Sequence, residues 1–195
     1  MKVLIACEFS GTVRRAFEEK GHYVISSDLL PSDDNGNHYW GDVRDILHND
    51  WDLIIAHPPC TYLCNSGVRW LSNNKERQIE MIRASRFFKL ILSQKCEKIC
   101  IENPIMHKYA KEIIGQSQSQ VIQPFMFGHP ERKATCLWLK GLSLLKETNN
   151  VKQEMLKLPK KEQNKIHYAS PGKDRWKVRS KTFSGIAQAM ADQWG

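Results

Sequence analysis

Four short apolar runs, each stopped by a turn signal or a lone polar residue, limit what this chain can fold into. They are KVLIAC (2–7), HYVISSDLL (22–30), WDLIIAHPPC (51–60) and KICIENP (98–104). Short aliphatic runs bounded by Gly and Pro read as buried strands. Between the first two lies TVRRAFEEKG, with Val13, Ala16 and Phe17 at helical spacing and Gly21 as a C-cap signal. A longer helix is expected from about Lys75 to Gln94, with Ile79, Ile82, Phe87 and Ile91 on its apolar side. A further strand is expected around Thr135–Leu139, after a turn at Gly128–Pro130. An amphipathic helix closes the chain over 184–194, with Ile186, Ala189, Met190 and Trp194 on one side. Strands alternating with helices predict an α/β fold: a mostly parallel sheet with helices on both faces. One domain is expected over 1–195.

Charge marks one segment apart from this pattern. Residues 1–145 hold 18 Lys+Arg against 16 Asp+Glu, whereas residues 146–181 hold 11 against 4. Most of the net charge of +8 therefore sits in a segment poor in apolar residues. Residues 143–181 read as a basic insertion or arm, and the excess points to a polyanion such as nucleic acid. No run of about 18 apolar residues is present, so no membrane span is expected. The short apolar start, broken at once by polar residues, is wrong for a secretory signal. A cytoplasmic location is expected, with the six Cys as free thiols.

In an open parallel sheet, ligands gather at the carboxyl ends of the strands. Four such ends carry chemistry here. Phe9-Ser10-Gly11 makes a Gly turn where backbone can approach a ligand. Asp28, closing the second run, is placed to bind ribose hydroxyls. Asp42, after Gly41, is placed for an adenine edge. The third run ends in His57-Pro58-Pro59-Cys60, where two prolines stiffen the backbone and present Cys60, a potential nucleophile. Glu102, in Ile101-Glu102-Asn103-Pro104, is an acid at the tip of an apolar strand, where burial is costly without a partner or a role. A thiol that attacks and a carboxyl that donates a proton suit an electron-poor heterocycle.

Taken in order, these pieces resemble the DNA C5-cytosine methyltransferases, in particular the small methyltransferase-like proteins carried by phages and prophages. FSG followed by a helix ending EEKGH looks like the family's first cofactor motif. HPPC looks like its Pro-Cys nucleophile loop, and IENP like its Glu-Asn motif. FGHPERKAT (127–135) is similar to its Tyr-Gly-x-Pro-Gln-x-Arg-x-Arg stretch, and GIAQAMADQWG to its last helix. The resemblance implies a Rossmann-like class I methyltransferase fold and S-adenosylmethionine as cofactor. It places that cofactor against Phe9, Ser10, Gly11, Asp28, Asp42 and Pro58. It further implies DNA, single- or double-stranded, as substrate. Cys60 would attack C6, Glu102 would protonate N3, and Lys133 would assist. Arg69, Arg132, Lys133, Arg175, Lys177 and Arg179 are the expected DNA contacts. The target base must be flipped out of a duplex or already single-stranded.

The chain departs from the family's pattern in four places. Phe9 and Thr12 stand where further glycines are usual. Glu131, Lys133 and Thr135 replace the Gln and both Arg of the basic motif. His57 before the prolines is partly similar to the Asp/Asn-Pro-Pro-aromatic motif of amino-methylating enzymes, but Cys60 cannot stack as an aromatic ring does. About 40 residues, the basic segment, stand where the family keeps a large target-recognition domain. Alternatives are therefore C5 modification of DNA or a free pyrimidine nucleotide with another donor, and an inactive DNA-binding relative. Cys60/Cys64 and Cys96/Cys100 also approach zinc-ligand spacing, although no metal is the expectation. Trp138 is expected in the core. Tyr62, Asn65 and Trp70 are candidates to border the base pocket, and Trp176 with Arg175 mixes aromatic and basic character suited to single strands.

Overall fold

The computed structural model describes residues 1–195 and gathers the apolar runs into a seven-stranded sheet. The strands are β1 (Lys2–Ala6), β2 (Tyr23–Asp28), β3 (His38–Trp40), β4 (Leu53–Ala56), β5 (Lys98–Pro104), β6 (Gln120–Ile122) and β7 (Thr135–Lys140). Their order is β3-β2-β1-β4-β5-β7-β6, all parallel except β7, which runs antiparallel to both neighbours. This is a Rossmann-like arrangement. The order reverses between β1 and β4, which puts a crevice at the carboxyl ends of those strands.

Each buried strand serves two cores, because successive side chains point to opposite faces. Val3 and Ile5 of β1, with Leu53 and Ile55 of β4, face one core. Leu4 and Ala6, with Ile54 and Ala56, face the other. The first core is covered by α1 (Thr12–Glu18) and α7 (Ser184–Trp194), whose Val13, Phe17, Ile186, Met190 and Trp194 are buried. The second is covered by α2 (Lys75–Leu92) and α3 (Lys108–Ile114). Both faces thus carry helices. Trp138 is fully buried there, edge-on to Phe88 at 5.0 Å between centroids.

Some details differ from the sequence-based expectation. The inward face of α2 is Met81, Ser85, Phe88 and Ile91, and Ile79 is half exposed. Contact with Trp138 fixes the helix rotation, and Phe87 turns towards the crevice instead. β3, α3 and β6 have weak local signals, being short or rich in polar residues. The 143–181 segment is more structured than an open arm. It holds α4 (Lys152–Lys157), α5 (Lys160–Gln163) and α6 (Arg175–Ser180). Leu145, Val151, Met155 and Gln163 are buried, so its first half is anchored. No helix is long and apolar enough to cross a membrane.

Candidate active site

The parallel strands bring β1, β2, β4 and β5 to one edge with their carboxyl ends. β7 runs the other way, so its start, just after Lys133, reaches the same edge. The His57–Cys60 loop leaves β4 there. Pro58 is buried, and its carbonyl accepts a hydrogen bond from Asn103 Nδ2 at 2.9 Å. The Cys60 carbonyl accepts from the backbone N–H of Leu63 and Cys64 at 3.0 and 3.1 Å, which closes a turn and sets Cys60 and Cys64 side by side. Arg77, reaching over from α2, donates to the carbonyls of Thr61 and Gly67 at 2.9 and 3.1 Å and braces the loop. The two thiols interact. Cys64, hydrogen-bonded first to Cys60 and also 3.0 Å from Ser66 Oγ, has its pKa pushed well down. Cys60 is pushed up by the same hydrogen bond and by burial. One proton leaves this pair readily and the second is held.

Glu102 stands beside this loop because β4 and β5 pair with Ala56 opposite Ile101, so the next residues, His57 and Glu102, are neighbours. His57 Nδ1 lies 3.3 Å from Glu102 Oε2. Thr182 Oγ1 donates to the same oxygen, also at 3.3 Å. Burial alone would raise the Glu102 pKa, but His57, Lys133 and Thr182 outweigh it and hold the carboxyl below its ordinary range. Burial would likewise lower the His57 pKa, and Glu102, with Glu8 beyond it, lifts it instead. Lys133 completes the group. Its Nζ donates to the Lys181 carbonyl at 3.1 Å, and burial lowers its pKa against the pull of Glu102 and Cys60. The three residues expected to act together therefore share one electrostatic cluster.

A cleft of about 700 Å³ opens next to this cluster. Asp28, Asp42, Gly41 and Val43 line it on one side, Pro59 and Tyr62 on another, with Cys7 and Phe87. Asp28 Oδ1 accepts from the Leu30 N–H at 2.9 Å; burial raises its pKa. Asp42 caps the short 3-10 turn at 43–45 and is engaged by the Arg44 side chain, which lowers its pKa. Cys7 adopts a left-handed backbone (φ 59°), a conformation non-glycine residues avoid. Burial, then Asp28 and Asp42, push its thiol up to about 12, so it stays neutral.

The placement of the other expected cofactor residues differs. Pro59, not Pro58, faces the cleft. Phe9, Ser10 and Gly11 do not line it. Phe9 is buried, its carbonyl taken by the Asp33 N–H at 2.8 Å and its ring 5.8 Å from that of Trp176. Gly11 has φ 65°, and a Cβ there would lie 2.6 Å from both Arg14 Nη2 and Asp34 Oδ2. The turn is thus closed by its own side chains. Glu8, which the sequence did not single out, occupies the start of α1. Its carboxylate accepts from the N–H groups of Val13 and Arg14 at 2.7 and 3.2 Å and from Ser10 Oγ at 3.2 Å.

The basic segment meets the site through its second half. Trp176 packs on Phe9, and Lys181 Nζ lies 2.6 Å from Asp33 Oδ2. Arg179 is close enough to Lys133 to act on its charge. Arg175 donates to the His167 carbonyl at 2.9 Å, and Lys177 lies 3.9 Å from Asp174. Arg132 is exposed, its backbone N–H bonded to the Gln163 carbonyl at 2.7 Å. Arg69, on the short turn 65–70 after the Cys60 loop, is exposed and stacks at 4.6 Å over the Trp70 ring. His129 Nε2 accepts from the Gly185 N–H at 3.0 Å, which ties the Gly-His-Pro turn to α7. All six cysteines are free. Cys60 and Cys64 follow β4, whereas Cys96 precedes β5 at the far edge of the sheet and Cys100 is buried within β5 opposite Ile55, so the four do not form one site. A second cavity of about 710 Å³, lined by Lys2, Tyr23 and Trp51, also lies at that far edge, away from the cluster.

Neither a family model nor a curated protein matches the chain. Among solved structures, the Entamoeba histolytica methyltransferase EhMeth is similar at 16% identity with a TM-score of 0.47, over 77% of this chain and 57% of that one. WbdD, solved with a kinase inhibitor, is similar at 11% identity with a TM-score of 0.42, over 72% of this chain and 36% of WbdD. The chain therefore spans little more than half of the first and about a third of the second. The strand order and the antiparallel β7, not these likenesses, define the fold.

Proposed function

We propose that the protein transfers a methyl group from S-adenosylmethionine to C5 of cytosine in DNA. The observation that carries this reading is the convergence of Cys60, Glu102 and Lys133 at the carboxyl edge of the sheet, beside a cleft bearing Asp28 and Asp42.

The cleft's chemistry suits an adenosyl group. Asp28 and Asp42 offer acceptors to ribose hydroxyls and to an adenine amine, and Val43 and Phe87 offer apolar surface. A phosphate-bearing dinucleotide fits poorly, because the Glu8 carboxylate already holds the α1 amides that would otherwise cradle a phosphate. When bound, S-adenosylmethionine supplies an electrophilic methyl group.

The protein's own residues prepare the base. The Cys60–Cys64 pair holds one proton; when that proton sits on the Cys64 sulfur, Cys60 is the thiolate, which Lys133 favours. The thiolate adds to C6 of the ring. Glu102 donates a proton to N3, so the electron pair released by the addition makes C5 nucleophilic. After substitution at C5, loss of the C5 proton expels Cys60 and restores the aromatic ring. Arg69, Arg132, Arg175, Lys177 and Arg179 hold the sugar-phosphate backbone by charge rather than by base readout.

The test is incubation with labelled S-adenosylmethionine and DNA, followed by nucleoside analysis. Label in 5-methyldeoxycytidine supports the reading, and a properly folded protein that leaves none there refutes it.

A further inference from the structure

We propose that His57 is a positioning residue for Glu102, holding the Oε2 oxygen and supplying the proton that Glu102 passes to the base. This rests on the cytosine reading above and adds to it a residue outside the resemblance.

Three geometric observations carry it. The β4–β5 register makes His57 the cross-strand neighbour of Glu102, and Nδ1 sits 3.3 Å from Oε2. Both side chains are nearly excluded from solvent, at 12% and 10% exposure. His57 Nε2 is buried with no hydrogen-bond partner, so the close polar contact of the ring is the one Nδ1 makes with the acid. A buried histidine without another partner is retained at a cost unless its charge is used.

Proton balance follows. With the proton on His57, the pair is imidazolium and carboxylate. One proton moves from His57 Nδ1 to the Glu102 carboxyl, and the carboxyl gives one to N3. The imidazole is left neutral, and the positive charge has passed to the ring that Cys60 attacks. When Cys60 is expelled, N3 returns its proton to the Glu102 carboxylate and from there to His57, while the C5 proton leaves to water. The groups facing His57 are Glu102 on β5, Glu8 after β1, Asp28 at the end of β2 and Lys133 before β7. The three acids favour the imidazolium, and Lys133 opposes it.

The test uses the full chain. Histidine NMR titration of the wild type, with His57→Asn to assign the resonance, reads the imidazole directly. The proposal predicts a midpoint above about 6.5 that drops below it in Glu102→Gln, where burial acts alone. Glu102→Gln keeps this readout if His57→Asn does not fold. In single-turnover methyl transfer, the wild-type rate falls about tenfold per pH unit above that midpoint. His57→Asn is about 100-fold slower and lacks that alkaline limb. A midpoint at or below 6.5 in the wild type, or an alkaline limb that survives in His57→Asn, overturns the proposal. If no DNA is methylated while the imidazole still titrates high and responds to Glu102→Gln, the cytosine reading fails and the proton-holding role of His57 stands.

Discussion

Asn103 Nδ2 donates to the Pro58 carbonyl at 2.9 Å, across 45 residues of sequence, and so pins the nucleophile loop to the strand that carries the acid. The loop cannot be held by ladder hydrogen bonds, since its two prolines have no N–H to give. Asn103→Ala removes the donor and leaves a buried carbonyl unpaired, at a cost of about 1–3 kcal/mol. We expect a lowered melting temperature and a larger loss in kcat than in cofactor affinity, because the cleft residues Asp28 and Asp42 are untouched. Calorimetry with cofactor titration checks this. Unchanged stability would show that the tether carries no energy.

The Glu102 ion pair predicts an acid limit to stability. Its pKa is lower in the folded chain than in the unfolded one, so its contribution is full above about 4.3 and is lost as pH falls through the folded value. The stability difference between wild type and Glu102→Gln should therefore be largest from about pH 5 to 6, where His57 is also charged, and should shrink towards pH 3. A difference that grows on acidification would reverse the assignment. Thermal unfolding over that range is sufficient.

Trp176 joins the basic segment to Phe9, which is itself outside the cleft. Trp176→Ala should free α6 and expose residues 164–181 to limited proteolysis. DNA affinity should fall several-fold, while cofactor affinity stays within about twofold, since base–aromatic stacking and backbone charge are lost together. Equal losses in both affinities would mean that Phe9 contacts the cofactor after all.

Asp28 and Asp42 line one cleft but are differently engaged. Asp42 is already tied to Arg44 and to the turn it caps, whereas Asp28 spends one oxygen on the Leu30 N–H. Asp28→Ala should weaken S-adenosylmethionine binding by about 10–100-fold, the range for hydrogen bonds to a charged group. Asp42→Asn should cost less. Titration calorimetry on both variants decides, and the opposite order would contradict the cleft assignment.

Much of this architecture is legible from the sequence, for physical reasons. The runs ending at Cys7, Asp28, Cys60 and Pro104 have aliphatic centres because parallel strands are covered on both faces, and their polar residues gather at the carboxyl ends. Their ends therefore mark the edge where Cys60 and Glu102 meet. What stays hidden depends on register and long-range contact. Nothing local shows that His57 opposes Glu102, since that follows from Ala56 pairing with Ile101. Thr182 reaches Glu102 from 80 residues away. Cys64 was visible only as a zinc candidate, although its spacing of four from Cys60 is also one turn of chain. Phe9-Ser10-Gly11 shows the opposite case. A Gly turn after a strand suggests ligand contact, yet here Arg14, Asp34 and Asp33 fill the space around it. The basic segment, read as an arm, is anchored by Met155 and Val151, whose spacing gave too little signal amid the lysines.

Cys60 Sγ is the atom that bonds to the base in the proposed reaction. DNA carrying 5-fluorocytosine, mixed with the protein and S-adenosylmethionine, should trap the Cys60 adduct, because fluorine at C5 cannot leave as a proton does. We predict a denaturant-stable protein–DNA species for the wild type and for Cys64→Ser, and none for Cys60→Ser. A species that persists in Cys60→Ser, or a folded wild type that binds both ligands and forms none, would contradict it.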